Sequence, residues 1–361
     1  MPWWPNWLVA PHRHRKRQGV PCVPDSLSRS LQAAPRRWLE ALIHYGLLLL
    51  LGLIVLLFSL VEPAFVQVSN LFIILQSVSI VALLALGVTL TMAVGGLDLS
   101  IGAVAAMSLM IASYVMVVLD WGPLPAIVIS LAGGALVGLL NGWLIVRMGI
   151  PDILATLGSM FLVIGVQLIP TGGRSIAVGM TLPGGEETEG VFSPAFLALG
   201  RGRLWDTVPV PVLVTAVLAL AVWLFLERTR IGRLFYAIGG NEQAARLAGA
   251  PVQRYKLLAY VLSALLASVG GLLLAARLGR GDVSSGNGLV LDALGAALIG
   301  FAVLGAKKAN AFGTLAGAVL IATLLNGLTM LNAPYYAQDF VKGLVLVLAL
   351  VFTFGLARHT R

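Results

Sequence analysis

The sequence predicts an all-α integral membrane fold of about ten transmembrane helices, and three observations predict it. Of 361 residues, 59% are hydrophobic and 11% charged, with a mean hydropathy of +0.95. Soluble domains carry roughly 25% charged residues, so these charges are too few to cover a surface facing water. Ten apolar segments reach or approach the ~20 residues that cross a bilayer: 41–61, 71–94, 99–119, 124–146, 153–170, 208–226, 257–276, 289–306, 309–331 and 340–356. The basic residues also alternate in abundance between successive connections. With the N-terminus placed inside, 18 of the 24 Lys and Arg residues fall on that side, and only Arg174, Arg201, Arg203, Arg277, Arg280 and Lys342 fall outside. Positive charge accumulates on the cytoplasmic side of membrane proteins, so both termini are expected inside. The net charge of +9 is then a topology signal and not a footprint for nucleic acid.

Residues 1–40 read as a basic cytoplasmic tail, expected to be disordered, with Trp3, Trp4 and Trp7 at its start. They do not read as a signal peptide, because the apolar stretch that follows is a full span. Cys22 is the single cysteine and permits no disulfide within the chain. Residues 41–356 form the transmembrane region and 357–361 a short cytoplasmic tail. Two polar stretches interrupt the spans: 171–207, outside, with Glu186, Glu187 and Glu189, and 227–256, inside and basic.

A weak internal repeat runs through the spans. Asp98-Leu99-Ser100-Ile101-Gly102 and Asp282-Val283-Ser284-Ser285-Gly286 both read D-x-S-x-G. Leu139-Leu140-Asn141-Gly142 is matched by Leu324-Leu325-Asn326-Gly327, 43 residues on from Asp98 to Asn141 and 44 from Asp282 to Asn326. The copies lie five spans apart and so face opposite ways, which relates spans two to five to spans seven to ten as an inverted repeat of the kind transporters use. Gly95 and Gly96 allow a break between two helices. Asp98 and Ser100 are then placed to cap the next helix, and Asp98 is also a candidate ligand. Stripes of Gly134, Gly138 and Gly142, and of Gly313 and Gly317, suit close helix packing.

Chemistry is sparse. No G-x-x-x-x-G-K-[ST] phosphate loop occurs. His12, His14, His44 and His359 form no metal pattern with the one cysteine, so no metal and no nucleophile–base set is expected. The charges well inside the spans, Asp292 and Lys342, lie near the outer end and could pair or reach water, which disfavours an ion-coupled carrier. The inner segment Gly240-Asn241-Glu242-Gln243-Ala244-Ala245 through Gly249 reads as a short exposed helix. Asn241 suits its N-cap, Glu242 its positive end and Gly249 its termination.

These residues carry a resemblance. RTRIGRLFYAIGGNEQAARLAGAP, from Arg228 to Pro251, resembles the cytoplasmic loop of permease subunits of simple-sugar ATP-binding-cassette importers, the ribose, xylose and autoinducer-2 group. Gln243 to Gly249 is similar to the wider EAA-x-x-x-G coupling motif, with Gln in place of Glu. GGLDLSIGAV, from Gly95 to Val104, and LLNGWLIVRMGIPDILATLG, from Leu139 to Gly158, match further stretches of that family. The resemblance covers about residues 41–356. It departs at Leu304-Gly305-Ala306-Lys307-Lys308, where members often carry a Gly-Gly pair, and in the first 40 residues.

The resemblance implies a non-enzymatic subunit in a bacterial inner membrane. A separate cytoplasmic ATPase would bind ATP and magnesium, this chain itself holding no cofactor. An extracytoplasmic sugar-binding protein would deliver solute, and a second permease copy or a sister permease would complete the pathway. The coupling helix would be Gly240, Asn241, Glu242, Gln243, Ala244, Ala245 and Gly249. Pathway candidates are Asp98, Ser100, Asn141, Thr156, Ser159, Gln167 and Asn326. Loop 171–207 is the candidate dock for the binding protein. The alternatives are a branched-chain amino-acid permease of the same superfamily and, in a different class, an ion-coupled carrier or channel.

Overall fold

A computed structural model describes residues 34–181, 185–204, 207–286, 288–303 and 308–359. The first part of the basic tail, with Cys22 and the three tryptophans, lies outside the described residues. So do Leu304 to Lys307 and residues 360–361. Residues 1–41 and 42–361 form separate units; the described part of the first, residues 34–41, is the start of a helix.

The order is α1 (Ala34–Val61), a 3-10 turn (Pro63–Val66), α2 (Val68–Ala93), α3 (Ile101–Ser113) continued by a π-helical turn (Tyr114–Val118), α4 (Pro123–Val146) and α5 (Asp152–Leu168) with a 3-10 turn (Ile169–Thr171). Then come a short α6 (Pro194–Arg201), a two-stranded antiparallel ribbon of β1 (Arg203–Leu204) and β2 (Val208–Pro209), α7 (Val210–Arg228), α8 (Arg230–Gly240) and α9 (Glu242–Leu247). The chain finishes with α10 (Val252–Leu278), α11 (Leu289–Val303), α12 (Ala311–Met330) and α13 (Tyr335–His359).

Each of the ten apolar segments overlaps a helix, and in 289–306 the described helix runs to Val303. Among the described residues seven helices are long and apolar enough to cross a membrane, and Leu49–Val61 and Leu289–Phe301 are shorter apolar stretches. The chain is an all-α, multi-pass membrane protein. Several helices start earlier than their apolar runs, some of them directly after a proline. α10 begins at Val252 after Pro251, and α13 at Tyr335 after Pro334. Hydropathy marks where a helix enters lipid, whereas a helix continues into water until its capping signal, and proline suits that start.

The helices form an inner and an outer set. Over an apolar 18-residue window of each helix, 83% of the residues are buried in Ile101–Val118 and 67% in Val68–Ala93, against 28% in α4, α5 and α7. In lipid no hydrophobic force draws helices together, so small residues and interhelical hydrogen bonds must hold the bundle. α10 packs on α2, α3 and α4, while α2 packs on α11 and α12. The α4–α10 seam is built on glycine: an added Cβ at Gly134, Gly138 or Gly142 would lie 1.8 Å from Ser268 Oγ, 2.7 Å from Tyr260 O or 2.7 Å from Leu257 Cδ1. The α11–α12 seam uses Gly300, Gly313 and Gly317 in the same way. Thr89 Oγ1 and Thr314 Oγ1, 2.6 Å apart, tie α2 to α12. Asp292 and Lys342 pair with each other at 3.2 Å, and Lys342 also meets Asp339 at 3.0 Å.

Candidate functional site

The centre of interest is the seven-residue break between α2 and α3, Val94 to Ser100. α2 ends because Gly95 takes φ +81°, a left-handed conformation that costs glycine little. Gly95 N donates to Met92 O at 3.0 Å and Gly96 N to Thr91 O at 2.9 Å, the paired bonds of a Schellman ending. Gly96 is small for another reason: an added Cβ would lie 2.4 Å from the Tyr260 hydroxyl.

Beyond the glycines the backbone is held by side chains. Asp98, fully buried, accepts at Oδ1 from Ser100 N (2.9 Å) and Ser100 Oγ (2.6 Å), and at Oδ2 from Ser263 Oγ of α10 (2.9 Å). Asn141 Nδ2 of α4 donates to Ser100 Oγ at 2.8 Å. From α5, Asp152 Oδ2 accepts from Leu97 N (2.6 Å) and Thr156 Oγ1 from Leu99 N (3.2 Å). Three further helices, α4, α5 and α10, therefore meet the break between α2 and α3. Among the described residues no Lys or Arg pairs with Asp98. Two buried atoms of the cluster, Asn141 Oδ1 and the Tyr260 hydroxyl, have no hydrogen-bond partner among them.

The expected side-chain cap of α3 is not made. Ser100 occupies the N-cap position without bonding the helix, because its hydroxyl donates to Asp98 and accepts from Asn141. Asp98, Ser100, Asn141 and Thr156 thus come together. Ser159 bonds Ala155 O at 2.9 Å within its own helix. Gln167 lies apart, its carbonyl oxygen buried and without a hydrogen-bond partner among the described residues, at a cavity of about 290 Å³ that Met107, Met110, Tyr114 and Thr171 help to line. Asn326 also lies apart, exchanging hydrogen bonds with Asn70 of α2 at 2.9 and 3.1 Å.

The second motif repeats the local geometry of the first in other surroundings. Ser284 N and Oγ bond Asp282 Oδ1 at 3.2 and 3.0 Å, as Ser100 bonds Asp98. Asp282 is only partly buried, and no asparagine reaches Ser284 among the described residues. Its loop pairs with the polar stretch 171–207 through an Ile176–Gly281 bridge. In that stretch Glu186, Glu187 and Glu189 are exposed, while α6 packs on the end of α10, with Arg201 donating to Arg277 O and Leu278 O at 2.8 Å each.

The opposite end of the bundle carries the knob. Asn241 Oδ1 accepts from Ala244 N at 2.9 Å and caps α9. Gly249, at φ +83°, closes it, with Gly249 N bonded to Arg246 O and Ala250 N to Ala245 O at 3.0 Å each. Glu242 bridges Lys256 (2.5 Å) and Arg246 (2.9 Å). The hydrogen-bonded Lys256 ammonium holds the Glu242 carboxyl below its ordinary range, with Arg246 assisting against partial burial. Gln243, Ala244 and Leu247 are exposed, and Ala245 is buried against the base. That base is α8, amphipathic, with Phe235 and Ile238 turned inward. Tyr236 donates to Ala309 O at 2.8 Å, and Lys308 bonds Glu227 at 2.8 Å. Gly239 lies against the start of the break: its added Cβ would be 2.4 Å from Ala93 O.

Asp152, Tyr260 and Ser263 belong to the cluster and were not singled out from the sequence. Each is one polar residue beside or within an apolar run. The signal that could have found the last two is their place with Lys256 at i, i+4 and i+7, one face of a helix.

A loosened backbone is tolerated inside an apolar helical bundle only where protein encloses it or it lines a cavity, and solute pathways are where membrane proteins use such breaks. The class is therefore a multi-pass membrane transport subunit. Comparison with known proteins gives the family: the chain belongs to the permease components of the branched-chain amino acid transport system type, whose profile matches residues 70–350. It is a permease component and not an enzyme. It is 36% identical over 304 residues to the ribose import permease protein RbsC of Escherichia coli K12, covering 84% of this chain and 91% of that one. RbsC of Bacillus subtilis is 34% identical over 301 residues (83% and 89%). The xylose transport system permease protein XylH of Escherichia coli K12 is 31% identical over 336 residues (80% and 85%). No solved structure matches.

Proposed function

We propose that this chain is the membrane-spanning subunit of an ATP-driven importer that moves a simple sugar or sugar-like solute across a bacterial inner membrane. The observation that carries the reading is similarity along nearly the whole chain to import permeases named for ribose and xylose. Residues 41–356 form the permease domain, with ten spans and both termini cytoplasmic; the distribution of Lys and Arg supports this orientation. Spans two to five and seven to ten form the inverted repeat. In support, the first helix of each set packs on the second and third helices of the other: α10 on α3 and α4, and α2 on α11 and α12.

In this reading the knob, Gly240 to Gly249, seats in a groove of a cytoplasmic ATPase, which holds the ATP and magnesium. Loop 171–207 receives an extracytoplasmic sugar-binding protein through Glu186, Glu187 and Glu189. A second permease copy or a sister permease completes the pathway. Asp98, Ser100, Asn141 and Thr156 shape its inner end, since each is committed to a neighbour. Ser159 and Asn326 line it more weakly. Gln167 is the candidate with an uncommitted acceptor for a solute hydroxyl.

The test is uptake of labelled ribose, xylose and leucine into proteoliposomes holding this chain with its ATPase and binding protein. ATP-dependent uptake of ribose or xylose is expected. Uptake of leucine alone would favour the amino-acid reading, which the family description motivates. Uptake driven by an ion gradient without ATP would refute both.

A further inference from the structure

We propose that the knob works the α2–α3 break directly, by two routes that converge on it: the Gly239–Gly95 backbone contact and the Lys256–Tyr260–Ser263 face of α10. Gly239 and Ser263 are then positioning residues for transport. The proposal rests on the reading that an ATPase docks on α9.

The first route is backbone against backbone. An added Cβ at Gly239 would lie 2.4 Å from Ala93 O and 3.0 Å from Gly95 N, and one at Gly95 would lie 3.3 Å from Gly239 Cα. No side chain stands between these segments to absorb a displacement, although both glycines are exposed on their outer side. The second route starts at the Glu242–Lys256 pair. Lys256, Tyr260 and Ser263 follow one another up one face of α10. Tyr260 ends beside Gly96, and Ser263 ends on Asp98.

The sender is stiff and the receiver soft. The knob is closed at both ends, by Asn241 and by the Gly249 turn. The break has given up its helical backbone bonds. Leu97 N and Leu99 N are held only by the side chains of Asp152 and Thr156, and Asp98 by serines. Side-chain bonds can be exchanged without unfolding a helix. Asn141 Oδ1 and the Tyr260 hydroxyl are buried and unpartnered among the described residues. Native interiors rarely leave such groups so without a reason, and a second arrangement of the break gives them one. Packed elements of this kind switch between discrete arrangements and do not deform continuously.

The experiment is hydrogen–deuterium exchange on the complex with the ATPase in lipid nanodiscs, before and after trapping with ATP and vanadate. Docking should protect the amides of 242–250. Trapping should change exchange at Leu97, Leu99 and Ser100 by at least about tenfold, the response expected when local bonds are exchanged. Gly239→Ala should keep the knob protected and reduce the response of the break to what the α10 face alone delivers. Gly52→Ala in α1, whose Cβ meets nothing within 4 Å, should keep both. A protected knob with an unresponsive break in the wild-type complex would overturn the proposal, and so would a normal response in Gly239→Ala. An unprotected knob would instead overturn the docking reading beneath it. The wild-type arms decide the matter even if Gly239→Ala does not fold.

Discussion

Replacing Gly138 by alanine should separate α4 from α10 and loosen the break they brace. The new Cβ would lie 2.7 Å from both Tyr260 O and Val261 Cα and 3.0 Å from the Ala264 Cβ. Two of these three atoms are backbone, so no rotamer change relieves the contact. Restoring ordinary separation moves α4 outward by about 1 Å, and overpacking of this size costs about 1–3 kcal/mol. Asn141 lies one turn further along α4. Its 2.8 Å bond to Ser100 would stretch beyond hydrogen-bonding range, adding about 1 kcal/mol. The total is about 2–4 kcal/mol. Gly158→Ala and Gly165→Ala on α5 are the controls, because an added Cβ there meets nothing within 4 Å. Each should be neutral or stabilising by up to about 1 kcal/mol through relief of the glycine penalty in a helix. Equilibrium unfolding of the three variants in one lipid–detergent mixture ranks them. Gly138→Ala matching the wild type, or falling level with the controls, would refute the claim that this seam is set by backbone contact.

The two D-x-S motifs should respond differently to the same change. Asp98→Ala strands Ser263 and Ser100 in a buried site and should cost about 2–4 kcal/mol of stability, whereas Asp282→Ala, on a partly exposed turn, should cost under about 1 kcal/mol; the same unfolding titration reads both. Asn241→Ala should fray the knob by about 1 kcal/mol, seen as weaker copurification of the ATPase, and Asn241→Asp should restore it. The Glu242 carboxyl is depressed below its ordinary value of 4.5, so whatever its pair with Lys256 contributes is intact above that value and is lost as pH falls through the lower folded one. Knob protection in hydrogen exchange should therefore hold from pH 8 to about 5 and decline below about 4.5, and Glu242→Gln should remove that decline.

The helices were legible because bilayer crossing imposes one length and one composition on every span. Their ends were less so: α10 keeps its helix through Gln253, Arg254 and Lys256, which are polar but in no way helix-breaking. The knob was legible residue by residue, since Asn241 and Gly249 are needed by the geometry of any short helix. α8 was not placed as an element, although Phe235 and Ile238 repeat at helical spacing, because the basic residues around them mask an amphipathic helix in a search for spans. The two D-x-S motifs form the same turn, in which Ser284 bonds Asp282 as Ser100 bonds Asp98. The likeness does not extend to Asn326, which pairs with Asn70. A local motif fixes bonds two residues apart. What approaches from another helix depends on the whole packing, and four letters cannot specify that.

The placement of the glycines explains why one helix can be both anchor and lever. Along α10 the positions facing α4, from Leu257 to Ser268, meet glycines, so that face is in backbone-close contact and cannot yield. Tyr260 and Ser263 sit at the edge of this face, where α10 meets the break. A shift delivered at Lys256 finds the α4 side already closed. In a membrane, where helices gain little from mere apolar contact, such a seam is also what keeps the two sets of helices together. Stiffness and mobility are thus arranged side by side on one helix: glycine where the backbone must not move, and hydroxyl, amide and carboxyl groups where bonds can be exchanged. A neutral solute needs no buried charge along its route. Asp98, the one fully buried acidic residue among the described residues, is tied to serines and to its own turn, which suits a brace better than a binding group.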